Sequence, residues 1–326
     1  MSRVVIIGGG VSGLAAANAL DGVDLTVLEA GETAGGHVRT DHIDGRIIDR
    51  AANGWLDSEP AMDRMLARIG LGEEVIPASD RAATRWIFAD GKMQAAPLSP
   101  PAFLRTSLLP WWAKLRVMLE PLIPRGRHGV EESVADFVRR RLGQRFVDRM
   151  VGPMVAGIYA AKPEELSLAS AFPKMVAMEK EYRSLFLAML AKKRGGAPAG
   201  HLQTLPGGAG QLTTRMSERL GERLHCNTPV EGLTKTQDGW CIHTPHGDFD
   251  AEAVVLATPA PVTAKLMRGL DSGVAAALDE IPYAPVTVVV SAWPAGAYDT
   301  TPTGFGVLVA RSWHRDEKGA RCPAHS

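Results

Sequence analysis

What most narrows the folds open to this chain is its beginning, where Val4-Val5-Ile6-Ile7 runs into Gly8-Gly9-Gly10-Val11-Ser12-Gly13 and an Ala-rich stretch follows from Leu14 to Leu20. A β-branched apolar run of this kind reads as a buried strand. Gly8 permits a tight turn, Gly10 lets the backbone approach a ligand, and Gly13 lets the following helix pack closely on the strand. Leu25-Thr26-Val27-Leu28 reads as a second strand, and it ends on Glu29. Strand, glycine corner, helix, second strand and acid, in that order, make a dinucleotide cradle. Unpaired N–H groups at the helix start face the phosphates, and the carboxylate accepts from a ribose hydroxyl. The plainer alternative is an ordinary tight βαβ corner with an incidental surface Glu.

The next segment, Glu29-Ala30-Gly31-Glu32-Thr33-Ala34-Gly35-Gly36-His37-Val38-Arg39-Thr40, adds a second glycine pair that lets more backbone close over an elongated cofactor. That favours FAD over NAD. An acid followed by a Gly-Gly loop and an Arg resembles the large flavoprotein oxidase and desaturase group, although Gly35-Gly36 also reads as a flexible turn. No second strand, glycine corner and helix follow. A built-in NAD(P)H site is therefore not expected, and reduced flavin passes its electrons to oxygen, a quinone or a partner.

With 326 residues, 45% hydrophobic and 22% charged, the chain has the composition of two intimately packed domains. Its 36 basic and 36 acidic residues cancel, which argues against a nucleic-acid partner. A cofactor strand starting at Val4 leaves no room for a signal or transit peptide, and no apolar run reaches membrane-spanning length. The expected location is the cytoplasm, with at most a peripheral seat on the inner face of the cell membrane. Cys226, Cys241 and Cys322 show no CxxC or histidine pattern suited to a metal, so they read as reduced and structural, and no metal is expected.

The expected fold class is α/β. A Rossmann-like FAD-binding domain spans 1–90 and 201–268, a helical insertion 91–200, a partial mixed-sheet substrate domain 269–310, and an irregular tail 311–326. Asp44-Gly45 and Asp90-Gly91 mark hairpin turns, Pro60 to Ile69 a helix, and Glu131 to Leu142 another. Further helices are expected up to Tyr159, from Pro173 to Lys193 and from Gln211 to Leu220. Short strands are expected through Val230, at Trp240 to Thr244 and at Val254 to Ala257, with two more at Val286 to Ser291 and Gly306 to Val309. Gly195 to Gly200 reads as a linker. Phe103 to Ile123 is amphipathic, and a core helix is favoured over a face resting on a bilayer. Arg139-Arg140-Arg141 and Lys192-Lys193-Arg194 read as charges at helix C-termini.

Several segments together resemble the oxygen-dependent protoporphyrinogen oxidase family. They are Asn53 to Pro60, Pro97 to Pro101, Glu132 to Gly143, Gly157-Ile158-Tyr159-Ala160, Leu166-Ser167, Phe172-Pro173 and Gly304 to Val309. The likeness implies FAD-dependent oxidation of protoporphyrinogen IX to protoporphyrin IX, with oxygen as acceptor. Hydride removal from a porphyrinogen carbon to flavin N5 needs placement and an apolar enclosure more than a catalytic acid, base or metal. The implied partners are thus a porphyrinogen and oxygen and, at most, a second copy of the chain and a membrane surface through 103–123. Another amine oxidase or desaturase, or an inactive truncated flavoprotein, are the competing readings.

In this resemblance Arg85 grips a substrate propionate, Phe305 and Leu308 sandwich a pyrrole ring, and Gly157 and Ile158 lie under the macrocycle. Asn53 and Gly54 meet flavin and substrate, and Val230 holds the adenine through its backbone. Arg85 also reads as a surface ion pair, and Phe305 and Leu308 as plain core. The flavin contacts otherwise fall on Gly8, Gly9, Gly10, Val11, Ser12, Gly13, Glu29, Ala30, Gly36, His37, Arg39, Ala51 and Ala52. The family carries Gly-Pro where this chain has Ala51-Ala52, which puts the cofactor fit of that loop in doubt. It also continues beyond the strand matched by Gly306 to Val309, whereas here an aperiodic tail follows. The expectation is a shortened chain with weak FAD retention and a tendency to aggregate.

Overall fold

The computed structural model describes residues 3–20, 22–126, 131–188, 191, 201–294, 296–297 and 303–310. The Gly195 to Gly200 linker, the Lys192 to Arg194 cluster, Cys322 and the tail 311–326 lie outside them. Contacts divide the chain into two units. The first is Met1–Ala78, Ala199–Tyr283 and Thr287–Ala292; the second is Ser79–Pro198, Ala284–Val286 and Trp293–Ser326.

The first unit opens with β1 (Arg3–Ile7), α1 (Val11–Ala19) and β2 (Asp24–Leu28), the two strands parallel with Val4 beside Leu25 and Ile7 beside Leu28. β1 is apolar from Val4 to Ile7 because both its faces are covered there. Ile6 joins a cluster with Leu14, Leu25 and Leu212, while Val5 and Ile7 join one with Ile242 and Leu266. The hairpin β3 (Thr40–Ile43) and β4 (Arg46–Asp49) turns at Asp44-Gly45 with φ of 50° and 73°. Two residues of positive φ match the strand twist, as an Asp-Gly turn requires. β5 (Trp55–Leu56), α2 (Pro60–Arg68) and β6 (Ile76–Pro77) follow.

In the second unit β7 (Arg85–Ala89) and β8 (Lys92–Ala95) form an antiparallel hairpin, again turned by an Asp-Gly pair, Asp90 at φ 52° and Gly91 at φ 72°. Helices α3 (Pro100–Arg105) and α4 (Trp111–Met118) come next, so the amphipathic stretch is not one helix. It breaks at Thr106 to Pro110, and Pro110 becomes the N-cap of α4. Leu108, Leu109 and Ala113 are buried, whereas Trp111 is 75% exposed, Trp112 49% and Leu122 73%. Among the described residues no helix is long and apolar enough to cross a membrane.

α5 (Val134–Leu142) starts three residues later than the sequence suggests, because the Ser133 hydroxyl accepts from the Asp136 N–H and caps it. After the single turn α6 (Gln144–Phe146) the chain widens into a π-helical turn at Val147–Val151 and continues as α7 (Gly152–Tyr159), α8 (Leu168–Ala171) and α9 (Pro173–Tyr182). The arginine run at the end of α5 is paired rather than solvated. Arg141 is fully buried and bonds Glu120 at 2.7 Å and Glu179, while Arg140 bonds Glu132 at 2.6 Å and Glu179 at 2.9 Å. Desolvation pushes the Glu179 carboxyl up, but hydrogen bonds and charge from Arg140 and Arg141 outweigh it and hold it below the usual range.

The chain returns to the first unit with β9 (Leu202–Thr204), α10 (Gly210–Leu220), β10 (Leu224–His225), β11 (Gly232–Lys235), β12 (Trp240–His243), β13 (Phe249–Ala251), β14 (Ala253–Leu256), α11 (Ala260–Met267) and α12 (Ser272–Asp279). The parallel sheet has the order β10-β2-β1-β14, and β11-β12-β13 form an antiparallel sheet. Val230 lies between β10 and β11, not in a strand. Two of the strand expectations therefore fail, at Val230 and at Val286 to Ser291. The Val286 run has strand propensity, but a strand needs a neighbour. Among the described residues none pairs with it, and Val286, Val288, Val289 and Val290 stay exposed. Back in the second unit, β15 (Gly306–Val309) pairs in parallel with β7, Gly306 beside Arg85 and Leu308 beside Ile87.

Candidate functional site

The first unit builds the glycine corner as its sequence requires. Gly8 has a φ of 107°, and a Cβ there would stand 2.7 Å from the Ala257 carbonyl oxygen. A Cβ on Gly13 would stand 1.9 Å from the Gly8 carbonyl oxygen, so only glycine lets α1 reach the strand. Gly10 differs. A Cβ there would meet nothing within 4 Å, and it would project into open space at the start of α1. That helix has no capping side chain and no acid in its first turn. Its N-terminus therefore offers N–H groups and positive dipole to a phosphate.

The second glycine pair folds onto the first. The Gly35 N–H donates to the Gly9 carbonyl at 2.7 Å, and a Cβ on Gly36 would come within 3.2 Å of the Gly10 Cα. Val11, Ser12, Ala30, Gly36 and His37 are exposed around this corner, and Arg39 is half-buried. The Glu29 carboxylate is fixed at both ends, Oε2 accepting from the Gly9 N–H at 2.6 Å and Oε1 from the Gly31 N–H at 2.7 Å. Each oxygen keeps acceptor capacity for a further hydroxyl. Beside it, the Thr228 N–H donates to the Glu29 carbonyl at 2.8 Å, and the Val230 N–H has no backbone partner among the described residues.

A third glycine turn, Gly207-Gly208-Ala209-Gly210, was not singled out from the sequence. Its signal is the run Pro206-Gly-Gly-x-Gly before an amphipathic helix. The Gly210 N–H donates to Thr40 Oγ1 at 2.8 Å and the Ala209 N–H to Asp49 Oδ1 at 3.0 Å, so the β3–β4 hairpin caps α10. Thr213 Oγ1 donates to the Val38 carbonyl at 2.7 Å and holds the loop that carries Gly36 and Arg39. Ala51, Ala52 and Asn53 are exposed ahead of β5, where Gly54 lies so close to the Gln203 carbonyl that an added Cβ would stand 2.5 Å away.

The second unit brings the remaining candidates together. The Arg85 guanidinium lies 5.5 Å from the centroid of the Phe305 ring. Among the described residues Arg85 makes no ion pair. Phe305 is 51% exposed, which removes the plain-core reading for that side chain. Leu308 packs on Gly157, where a Cβ would come within 2.6 Å of Leu308 Cδ2, and the neighbouring Ile158 is 63% exposed. Both come from α7, directly after the π-helical turn, a feature frequent at functional sites.

Residues 11–319 match the model of the flavin containing amine oxidoreductase family. The chain belongs to that family. Members of that family are flavin-containing oxidoreductases. Among the members it resembles is coproporphyrinogen III oxidase of Propionibacterium freudenreichii, 32% identical over 94% of this chain and 66% of that protein. Another is chloroplastic protoporphyrinogen oxidase 1 of Arabidopsis thaliana, 29% identical over 94% of this chain and 63% of that one. A crystal structure from Exiguobacterium, provisionally named a protoporphyrinogen oxidase, superposes with a TM-score of 0.72 at 28% identity, over 86% of this chain and 63% of that one. Cyclohexylamine oxidase of Brevibacterium oxydans, at 20% identity and a TM-score of 0.59, shares the fold. The chain thus spans about two thirds of the length of these relatives.

Proposed function

We propose that the chain is an FAD-dependent porphyrinogen oxidase, taking protoporphyrinogen IX or its tetrapropionate counterpart and using oxygen as the final acceptor. The observation that carries the reading is Arg85, a guanidinium without an ion-pair partner among the described residues and stacked on the half-open Phe305 ring. A forked cation beside an aromatic face suits a carboxylate on a flat macrocycle. Leu308, Gly157 and Ile158 add apolar surface, and Gly157 lacks a side chain that would hold a ring away.

FAD, rather than a shorter flavin, is supported by the pairing of a phosphate-facing helix start at Gly10 with a Glu29 carboxylate fixed for a ribose hydroxyl. The Val230 N–H, which has no backbone partner among the described residues, fits the adenine edge in the same reading. When bound, the flavin supplies hydride acceptance at N5. The chain's own residues are left to bind, orient and enclose, which is consistent with porphyrinogen oxidation needing no strong base. The exposed Trp111 and Trp112 suit a headgroup boundary, so a peripheral membrane seat belongs to the proposal.

Arg85→Ala tests the substrate half. Losing a charge-assisted bond costs about 1.5–3 kcal/mol, which raises KM for porphyrinogen roughly 10–100-fold. Flavin content, read from visible absorption, stays that of the parent. Rates of porphyrin fluorescence from coproporphyrinogen III and from protoporphyrinogen IX identify the preferred substrate. An unchanged KM for both would remove Arg85 from the site.

A further inference from the structure

We infer that the outward face of the β11-β12-β13 sheet carries a site for a borderline-soft divalent metal ion, Zn2+ above all, formed by Cys241 Sγ, His243 Nδ1 and the Asp248 carboxylate. Strand periodicity places the three together. Leu233, Trp240, Ile242, Phe249 and Ala251 alternate into the apolar cluster behind the sheet. Cys241 and His243, two apart on β12, therefore share the opposite face with Thr234 and Asp250, the register partners of Cys241. Asp248, one residue before β13, reaches the same point.

Cys241 Sγ lies 3.9 Å from His243 Nδ1 and 3.6 Å from Asp248 Oδ2, and His243 Nδ1 lies 3.1 Å from Asp248 Oδ1. Sulfur, nitrogen and oxygen ligands about 2.0–2.3 Å from a tetrahedral Zn2+ stand roughly 3.3–3.6 Å from each other. Small side-chain adjustments close that difference.

The histidine discriminates this arrangement from a nucleophile relay. In a relay the thiol and the acid use different ring nitrogens, the acid orienting the one that does not meet the nucleophile. Here both face Nδ1, while Nε2 is 2.9 Å from Thr234 Oγ1. With Thr234 Oγ1 accepting from Nε2–H, the ring is held in place and the Nδ1 lone pair is left for the ion, as outer-shell partners do at metal sites. Thiolate, carboxylate and neutral imidazole balance a divalent charge. His243 and Asp248 are 41% and 55% exposed, so a fourth position opens to water. The ion would tie β12 to the turn leading into β13.

Titration with Co2+ followed by displacement with Zn2+, on the full chain and on Cys241→Ser, Cys226→Ser, His243→Gln and Thr234→Val, tests the site. The parent and Cys226→Ser are expected to show a thiolate-to-cobalt charge-transfer band with tetrahedral visible bands, both bleached by Zn2+. Cys241→Ser is expected to lose the charge-transfer band, with unchanged far-ultraviolet circular dichroism. His243→Gln is expected to bind Co2+ at least tenfold more weakly, and Thr234→Val 10–100-fold more weakly. Absence of the band in the parent, its survival in Cys241→Ser, or full affinity in His243→Gln would overturn the assignment. None of these readouts involves flavin or porphyrinogen, so the site stands or falls apart from the proposed oxidase activity.

Discussion

Gly13→Ala is expected to abolish flavin binding and lower the melting temperature together, whereas Gly10→Ala is expected to lose flavin and keep the fold. The two glycines meet different surroundings. At Gly13 the new methyl would stand 1.9 Å from the Gly8 carbonyl oxygen, a backbone atom that cannot rotate away. The start of α1 must move, which costs about 3 kcal/mol or more and shifts the N–H groups proposed to meet the phosphates. At Gly10 no protein atom lies within 4 Å of the methyl, and the backbone has a φ of −71° that alanine adopts freely. Any cost there falls on the ligand. Titrating FAD into parent and variants while monitoring flavin fluorescence, with melting curves beside it, separates the effects. A Gly10→Ala chain that binds FAD as the parent does would move the pyrophosphate away from this corner.

The second large effect lies in the helical unit. Glu120 is buried and accepts from Arg141 at 2.7 Å, from the Leu185 N–H at 3.1 Å, from the Phe186 N–H at 3.3 Å and from the Ser184 hydroxyl at 2.5 Å. Removing that carboxylate leaves the Arg141 guanidinium in the interior with Glu179 as its remaining acid. Breaking one side of a buried pair costs about 3–5 kcal/mol. Glu120→Ala is therefore expected to lower the melting temperature on the order of 10 °C. Glu120→Leu combined with Arg141→Met removes both charges, and the double variant is expected to lose less than Glu120→Leu and Arg141→Met lose in sum, yet to melt below the parent because three donors lose their acceptor. Additive losses would show that the two groups are not coupled.

Much of the first unit was legible because its local backbone has few alternatives. A glycine corner between two β-branched runs fixes strand, turn and helix over a short span, and Asp44-Gly45 fixes its hairpin by φ alone, as Asp90-Gly91 does in the second unit. What escaped depends on partners distant in sequence. Arg141 reads as a charge at a helix C-terminus, which it is, but its burial depends on Glu120 and Glu179 arriving from other elements. Val286 to Ser291 has the composition of a strand but no neighbour among the described residues. The helix expected across Phe103 to Ile123 was divided by Pro110, a stop signal that the apolar periodicity masked. In the candidate site, Arg85 and Phe305 entered through resemblance. Their stacking, 5.5 Å from cation to ring centroid, follows from the parallel pairing of β7 with β15, which no local pattern encodes.

The central claim is that this chain oxidises porphyrinogens through a bound flavin. Mixing the flavin-loaded protein with porphyrinogen without oxygen, and following flavin absorption and porphyrin fluorescence in the same cuvette, tests it most directly. Six electrons leave each porphyrinogen and each flavin takes two, so the account predicts that the flavin bleaches on mixing, and that admitting oxygen restores its colour while porphyrin fluorescence rises. A flavin that stays oxidised with both porphyrinogens, yet bleaches with an amine, would contradict it.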